Sequence, residues 1–403
     1  RHMIHVNPEL MCEEWKTSEL VQKHLTEVGV SFRKGVGGDG RPLYMDPEIL
    51  AKSGIRTKPT TGGTGVLAEI TGTLGKGPGK CVILRADMDA LPIEEANDVP
   101  YKSREPGVMH ACGHDVHTTI LMGVAEVLGG MRDRFDGTVK LMFQPGEEGA
   151  GGAYAMINDG ILKDPKPDAA FALHVGTEHP AGHVSMGAGP HAAAADTFEI
   201  TVTGKGGHAA FPHTTIDTTL VAAQIVVALQ SLVAREVDPI ETAVVTVGKL
   251  EAGTVHNVIP QTAKLLGTVR TYTPEIRDLL EMRLKEVAAG IAATYRATAD
   301  TVYLRGYPPM INDPEMTAFA QQVCEELLGQ QNVHHGRPIM AGEDFSYVLN
   351  EVPGCMISLG VRNDERGMVF PPHHPRFDAD EDAMAVGVRV MCALTLRYLD
   401  ADI

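Results

Sequence analysis

Long apolar runs are missing from this sequence of 403 residues. A membrane-spanning helix needs about 20 mostly apolar residues. The longest candidate, from Thr218 to Ala234, is interrupted by Gln224, Gln230 and Ser231. We therefore expect no membrane-spanning segment and no membrane partner.

Paired cysteines are missing as well. The six cysteines stand singly, with neither a CxxC pair nor the spacing of a disulfide framework. Because disulfides are rare in reducing compartments, this pattern predicts free thiols and a cytoplasmic protein.

Basic residues are fewer than acidic ones. Lys and Arg total 35 against 52 Asp and Glu, which gives a formal net charge of −17. A surface with that average charge repels the phosphates of nucleic acids. We expect no nucleic-acid partner, and any site for a substrate carboxylate must be built locally from arginine, histidine or a metal.

The order of predicted elements indicates two kinds of domain. At about 100–200 residues per domain, the length predicts two or three domains. Short apolar strands alternate with helices over 1–189 and again over 307–403, which is typical of an α/β layer with a largely parallel sheet. Residues 190–306 instead follow the order β-α-β-β-α-β of a ferredoxin-like α+β domain. We predict an α/β catalytic domain in two parts with the ferredoxin-like domain inserted between them.

Histidine is abundant, with 17 residues that cluster in turn-like segments, and this raises the expectation of a metal site. In open α/β sheets, functional groups gather at the carboxyl ends of the strands. Five segments rich in such groups stand at predicted strand ends or in nearby loops: 85–89, 110–115, 144–149, 173–175 and 372–375. None has the HExxH spacing of a helical zinc site.

Cys112 and His114 are two residues apart, so in an extended loop both side chains leave the same side. Gly113 between them would leave space for an ion. Glu147 and Glu148 are adjacent, and an extended backbone would point them to opposite sides. One glutamate could then bind metal while its neighbour acts as a general base towards water.

Nine motifs occur in order along nearly the whole chain: RADMDALP at 85–92, MHACGHDVHT at 109–118, FQPGEEG at 143–149, LHV at 173–175, GKGGHAAFPH at 204–213, NVIP at 257–260, GTVRT at 267–271, AGEDFS at 341–346 and HHPRFD at 373–378. Together they resemble the amidohydrolase branch of the aminoacylase-type metallopeptidase family. That branch includes hippurate hydrolases, bacterial N-acyl-amino-acid amidohydrolases and plant hydrolases of auxin–amino-acid conjugates. The resemblance implies a zinc-exopeptidase-like catalytic domain, and it makes the inserted ferredoxin-like domain a lid or dimerisation domain.

The same resemblance implies two divalent ions per subunit, which would be zinc, manganese, cobalt or nickel. The ligands that it implies are Cys112, His114, Glu148, His174 and His373. Glu147 matches the general base of the family. The family ligand is followed by one variable residue and then proline, which selects His373 over His374.

Further roles are implied outside the ligand set. His208 matches a histidine that reaches the active site of a partner subunit, and Asn257 and Arg270 match residues that meet the substrate. Asp89 and Asp115 fall in the metal-site motifs and are expected to orient ligands. Asp87 stands where related subfamilies have a ligand, so its role stays open.

We therefore predict a binuclear metal-dependent amidohydrolase that cleaves N-acyl amino acids and forms a homodimer or a higher homo-oligomer. The alternatives are a dipeptidase or aminoacylase of the same fold, an esterase, and a non-catalytic binding protein on this scaffold. Between Gly35 and Thr60 the chain has a glycine- and proline-rich insertion relative to the family. Long loops in compact domains are usually functional or disordered, and we expect this one to affect substrate choice more than stability.

Overall fold

The computed structural model describes residues 1–38, 63–75, 77 and 79–400. The insertion expected between Gly35 and Thr60 lies, from residue 39 onward, outside the described residues.

The strands are numbered in chain order. They are β1 Ser31–Val36, β2 Gly65–Thr71, β3 Cys81–Asp87, β4 Thr138–Gln144, β5 Ala169–Pro180, β6 Val184–Met186, β7 Gly189–Ala192, β8 Ala194–Thr203, β9 Gly207–His208, β10 Ala243–Ala252, β11 Val258–Ile259, β12 Thr262–Thr271, β13 Thr298–Leu304, β14 Met310–Asn312, β15 Val333–His335 and β16 Gly354–Arg362.

The α-helices are α1 His2–His5, α2 Trp15–Glu27, α3 His114–Gly130, α4 Gly152–Asn158, α5 Thr218–Ser231, α6 Pro274–Thr294, α7 Pro314–Leu328, α8 Ser346–Leu349 and α9 Asp382–Tyr398. Side-chain caps explain where three of them begin: Asp217, Thr273 and Asp313 each accept a hydrogen bond from a main-chain amide in the first turn of α5, α6 and α7.

The chain divides into two compact units. The first comprises Arg1–His191, Ile311–Pro338 and Asp344–Ile403, and the second comprises Ala192–Met310 and Ile339–Glu343. The short segment Ile339–Glu343 thus belongs to the second unit, although the sequence pattern assigned it to the returning part of the large domain.

The first unit is built on an eight-stranded sheet with the order β1-β2-β4-β3-β5-β16-β6-β15. The central strand β3 is buried along its whole length and pairs in parallel with β4 and β5, as expected of a strand covered on both faces. The buried core includes one face of α3, and α9 packs against α3. The parallel strands β3, β4 and β5 therefore bring their carboxyl ends to the same edge of the sheet.

The sheet is less parallel than the sequence suggested. β1 pairs antiparallel with β2, β2 with β4, and β6 with β16. The element pattern did not predict β1 because its six residues are mostly exposed and carry no apolar run. The α/β class with a large central sheet is nevertheless confirmed.

The second unit contains a four-stranded antiparallel sheet with the order β10-β12-β8-β13. Along β8 buried residues alternate with partly exposed ones, so one face of the sheet is covered. Helices α5 and α6 supply the residues that complete a separate hydrophobic core. This is the ferredoxin-like arrangement that the order β-α-β-β-α-β predicted.

Among the described residues, one helical segment, Thr218–Glu236, is long and apolar enough to cross a bilayer by length and composition alone. It consists of α5 and a π-helical turn, Leu232–Glu236. Its buried side chains, including Val221, Ile225 and Leu229, belong to the core of the second unit. Of the apolar window in this segment, 33% is buried inside the protein.

Candidate metal centre

Helix α3 begins at His114, whereas the sequence pattern predicts this helix only over 118–128. Gly113, which precedes it, has φ 87°, a left-handed conformation that glycine adopts without steric cost. The prediction that Cys112 and His114 project from an extended loop is therefore wrong. The turn into the helix brings the two side chains together instead, and both are buried.

Cys112, His114 and His174 form one group of potential ligands, with one ligand atom of each within 4.8 Å of the others. His174 Nδ1 lies 2.8 Å from the carbonyl oxygen of Val175, which can only accept a hydrogen bond. The Nδ1 proton is therefore donated to that carbonyl, and Nε2 faces the Cys112 sulfur at 3.5 Å. Such a contact fixes the tautomer of a metal-binding histidine.

Cys112, Glu148 and His373 form a second group within the same 4.8 Å limit. His373 Nε2 lies 3.3 Å from Glu148 Oε1, and the main-chain amide of His373 donates to the carbonyl of Ala111 at 2.8 Å. His374 instead stacks on Phe370, with ring centroids 4.4 Å apart. The two groups share Cys112 and together contain all five residues that the resemblance implied.

The polar atoms of this cluster leave room for a cation. Among the described residues, the ring nitrogens of His114 and Oε1 of Glu148 are buried and form no hydrogen bond of acceptable geometry, although Asp89 and His373 lie 3.3 Å away. Buried polar atoms are normally paired. Burial and the neighbouring Glu148 and Glu147 raise the pKa of Cys112 well above its usual value, so the thiolate needs additional positive charge.

The pKa of His114 also favours a metal site here. Burial alone would lower its pKa, but Asp87 and Asp89 raise it to about 10. In the protein without metal the ring therefore carries a proton among carboxylates. A divalent ion bound by the thiolate, imidazole and carboxylate groups would replace that proton, because metal binding releases protons from its ligands.

Glu147 lies in the turn that follows β4 and is only 7% exposed. Ligand atoms of His114, Glu147 and Glu148 lie within 4.8 Å of one another. The prediction that the two glutamates point to opposite sides is wrong, because their backbone is a turn and not an extended strand. Both carboxylates instead lie beside His114.

Asp89 contacts the turn that contains Glu147 and Glu148, and it also contacts His114. Its two carboxylate oxygens accept hydrogen bonds from the amides of Glu147 and Glu148, at 3.0 and 2.9 Å, and Oδ1 lies 3.3 Å from His114 Nδ1. Asp89 is thus in contact with three residues of the cluster, as the orienting role predicts.

Asp115 lies in different surroundings from those expected. Its Oδ2 accepts a hydrogen bond from Arg1 Nε at 2.7 Å and lies 2.8 Å from His5 Nδ1. Its other oxygen is buried without a hydrogen-bond partner among the described residues. The observed contacts of Asp115 therefore attach the N-terminal segment to α3, and none of them reaches a side chain of the cluster.

His117 is a residue of this region that sequence reasoning missed. Its Nε2 accepts a hydrogen bond from the amide of Val175 at 2.8 Å, so Nδ1 carries the proton and donates it to Asp87 Oδ1 at 2.6 Å. Arg85 donates to the other oxygen of Asp87 at 2.6 Å.

The group Asp87, His114 and His117 is also compact enough to hold an ion. However, both nitrogens of His117 are already engaged. Burial lowers the pKa of His117 to about 4, which keeps the ring neutral in this role. Asp87 and His117 therefore connect β3, α3 and β5. The residues whose ligand atoms remain available for an ion are those around Cys112. The signal in the sequence was the spacing of three residues between His114 and His117, which places both on one face of α3.

The three remaining predicted residues lie in the second unit. His208 in β9 is paired with Val258 in β11, and the carbonyl of Asn257 accepts from the amide of Ala209 at 3.1 Å, so His208 and Asn257 are neighbours. Arg270 lies in β12, where its guanidinium donates to the hydroxyl of Thr268.

Known proteins resemble this chain over almost its full length. The N-acetyl-L-cysteine deacetylase of Bacillus subtilis (strain 168) is 37% identical over 402 residues, which cover 100% of this chain and 88% of that protein. Thermostable carboxypeptidase 2 of Saccharolobus solfataricus is 36% identical over 401 residues, covering 99% and 94%. The crystal structure of the Bacillus subtilis YXEP protein, described as a dinuclear metal binding peptidase from the M20 family, has a TM-score of 0.80 with 32% identity, covering 99% and 96%.

The fold, the buried cluster and these similarities define a metal-dependent hydrolase of amide bonds. The family model described as Peptidase family M20/M25/M40 matches residues 83–397, and the chain belongs to this family. The resemblance inferred from the nine motifs is thereby confirmed.

Proposed function

We propose that the protein is a binuclear amidohydrolase that releases an amino acid from its N-acyl derivative. The observation that carries the proposal is the pair of ligand groups that share Cys112, with Glu147 beside them. Two neighbouring ions that share one ligand would need two such groups with a residue in common. The donor set of a thiolate, imidazoles and a carboxylate fits zinc, cobalt, nickel or manganese.

When bound, divalent ions would lower the pKa of a water molecule and polarise the scissile carbonyl. The chain itself supplies the proton transfer in this proposal. Glu147 takes the proton of the attacking water on its carboxylate and passes it to the nitrogen of the departing amino acid. Its near-complete burial keeps bulk water away from the proton during the transfer.

The second unit supplies the substrate contacts in this proposal. Arg270 and Asn257 bind the carboxylate or carbonyl of the substrate, and His208 stabilises the oxyanion from a second copy of the chain. These three roles, the homodimer and the cytoplasmic location remain predictions. The six cysteines, Cys12, Cys81, Cys112, Cys324, Cys355 and Cys392, are all free, which is compatible with a reducing compartment.

The test is a panel of N-acyl amino acids varied at both ends, with release of the free amine as the readout. The expected result is metal-dependent turnover of at least one acyl class, abolished by a chelator and by Glu147→Gln. If no N-acyl amino acid in a broad panel is cleaved by the metal-loaded protein, the substrate class is wrong.

A peptidase is the second candidate, because one similar protein is named a carboxypeptidase. Both reactions cleave an amide next to an amino acid with a free carboxylate, and they differ at the other end of the substrate. Matched pairs such as N-acetyl-alanine and alanyl-alanine separate them. Faster cleavage of the dipeptides would favour the peptidase, and matched ester substrates would reveal an esterase.

A further inference from the structure

The turn that contains Glu147 and Glu148 is held by three consecutive main-chain amides. The amide of Gly146 donates to Glu14 Oε1 at 2.8 Å. The next two amides, those of Glu147 and Glu148, donate to the two oxygens of Asp89. Two buried carboxylates, from segments far apart in the sequence, thus bind one turn of the backbone.

Glu14 is completely buried. Its Oε1 also accepts from the amide of Cys12 at 2.7 Å, and its Oε2 accepts from the hydroxyl of Thr64 at 2.6 Å. Burying a carboxylate is costly unless it is hydrogen-bonded. These three donors satisfy both oxygens, so the geometry of this side chain is fixed from three sides.

Glu14 also stands where three elements meet. It immediately precedes α2, Thr64 immediately precedes β2, and Gly146 follows β4. Gly146 has φ 60°, a left-handed conformation, so the direction of the turn depends on this residue keeping its unusual backbone geometry. The hydrogen bond from Glu14 holds the amide of that residue.

We propose that Glu14 is a positioning residue that sets the place of Glu147 and Glu148 by binding the amide of Gly146. The proposal rests on the function proposed above, since it assumes that Glu147 transfers a proton and Glu148 binds metal. Glu14 acts through the backbone in this proposal, since its observed hydrogen bonds are with the amides of Gly146 and Cys12 and the hydroxyl of Thr64. Displacements of about 1 Å at a reacting group can reduce rates by about a hundredfold, which is why such a contact matters.

The test compares Glu14→Ala and Glu14→Gln with Glu9→Ala. Glu9 is a matched control, because its carboxylate also accepts main-chain amides at the start of α2, from Lys16 at 3.0 Å and Thr17 at 2.9 Å. None of its observed contacts reaches the turn after β4. Loss of Glu9 should therefore lower stability without affecting the turn.

Three quantities are measured: the melting temperature, kcat and KM for the best N-acyl amino acid, and the affinity for Mn²⁺ from competition with a chromogenic chelator. For Glu14→Ala we expect kcat and Mn²⁺ affinity to fall about 10–100-fold, as for the loss of groups that orient metal ligands, with KM nearly unchanged. Glu14→Gln keeps one oxygen acceptor and should lie between wild type and Glu14→Ala. Glu9→Ala should retain wild-type kcat and Mn²⁺ affinity even where its melting temperature falls.

The proposal is overturned if both Glu14 variants match Glu9→Ala in kcat and Mn²⁺ affinity. If Glu14→Ala does not fold, Glu14→Met takes its place in the comparison with Glu9→Ala, because methionine fills similar space but has no oxygen to accept the amide of Gly146. If the wild-type protein cleaves no N-acyl amino acid, the proposed function fails, and the Mn²⁺ affinity alone decides the role of Glu14.

Discussion

Single residues of the site were predictable where the chemistry lies in short motifs. The motifs predicted Cys112, His114 and Glu148 as metal ligands, and the structure places Cys112 and His114 in one potential ligand group and Cys112 and Glu148 in another. His117 and Glu14 were not singled out, because their roles depend on contacts with residues remote in sequence. Gly146 lies 132 positions from Glu14, and nothing local to either residue indicates the hydrogen bond.

Glu147→Gln separates catalysis from metal binding. The substitution is nearly isosteric, so metal content and melting temperature should remain close to wild type. Without the proposed general base, kcat should fall by about 10²–10⁴-fold. Steady-state kinetics with metal analysis of the same sample provide the check, and turnover near the wild-type rate in metal-replete Glu147→Gln would exclude the role.

Cys112 should change reactivity with metal content. Metal coordination deprotonates a thiol and occupies it, so bound metal should protect Cys112 from alkylation. After metal removal at pH 7, burial and the neighbouring glutamates keep its pKa high, and labelling should be slow but measurable. Mass-spectrometric mapping of alkylated cysteines with and without chelator tests this, with buried Cys324 as the internal control. Equal labelling of Cys112 in both states would show that it is not a ligand.

At the scale of elements, prediction succeeded for the long periodic segments and failed at edges and boundaries. The sequence pattern predicts a helix over 274–295 and a strand over 263–271, and α6 and β12 lie within one residue of these bounds. The short strands β6 and β15 have three residues each, too few for a periodic pattern to reveal. The early start of α3 was missed because its first turn, residues 114–117, is mostly polar and carries no apolar periodicity.

Gly113→Ala should damage the start of α3. A Cβ at this position would be strained by the left-handed backbone and would overlap Cγ2 of Val175. Strain and overpacking together should lower the free energy of unfolding by about 2–5 kcal/mol and weaken metal binding.

Gly130→Ala in the same helix is the control, since a Cβ there meets no atom within 4 Å and should leave stability unchanged or slightly higher. Denaturant titrations of the two variants give the comparison. Equal stability of both variants would contradict the account of Gly113.

The attachment of the N-terminal helix α1 to α3 should depend on pH. Burial alone would lower the pKa of His5, but Asp115 and Glu95 raise it to about 9. The unfolded value is about 6.5, so the protonated ring stabilises the folded protein fully below pH 6.5, and this contribution is lost as the pH rises through 9.

His5→Asn should therefore lower the free energy of unfolding by on the order of 3 kcal/mol at pH 6 and by much less at pH 9.5. Both proteins bind the same metals, so the pH dependence of metal binding cancels in the difference between them. A difference that is the same at both pH values would contradict this role of His5.

For the whole molecule, the sequence predicted a discontinuous α/β part and an inserted ferredoxin-like part, because their element orders differ. What the sequence could not provide is the pairing of edge strands, since a local pattern does not determine which partner an edge strand takes. Within the part of the chain that the structure describes, there are two separate hydrophobic cores, one in each unit.

The predicted exchange of His208 between subunits is testable by complementation. Glu147→Gln and His208→Ala are each expected to be inactive alone. Mixed at equal ratio and reassembled, random pairing gives half heterodimers, each with one intact site, so about a quarter of native activity should return. If activity does not return although subunit exchange is demonstrated, His208 acts within its own chain or has no catalytic role.

The order of the predicted ligands along the chain affects when the metal centre can form during biosynthesis. Cys112 and His373 lie on opposite sides of the segment Ala192–Met310, which is contiguous and has its own core. Domains generally fold as units while the chain emerges from the ribosome. The inserted unit can therefore fold while the first unit still lacks β16, α9 and its last ligand. With His373 as a ligand, complete metal loading would follow the release of nearly the entire polypeptide, and a truncated translation product would retain a folded fragment without a complete metal centre.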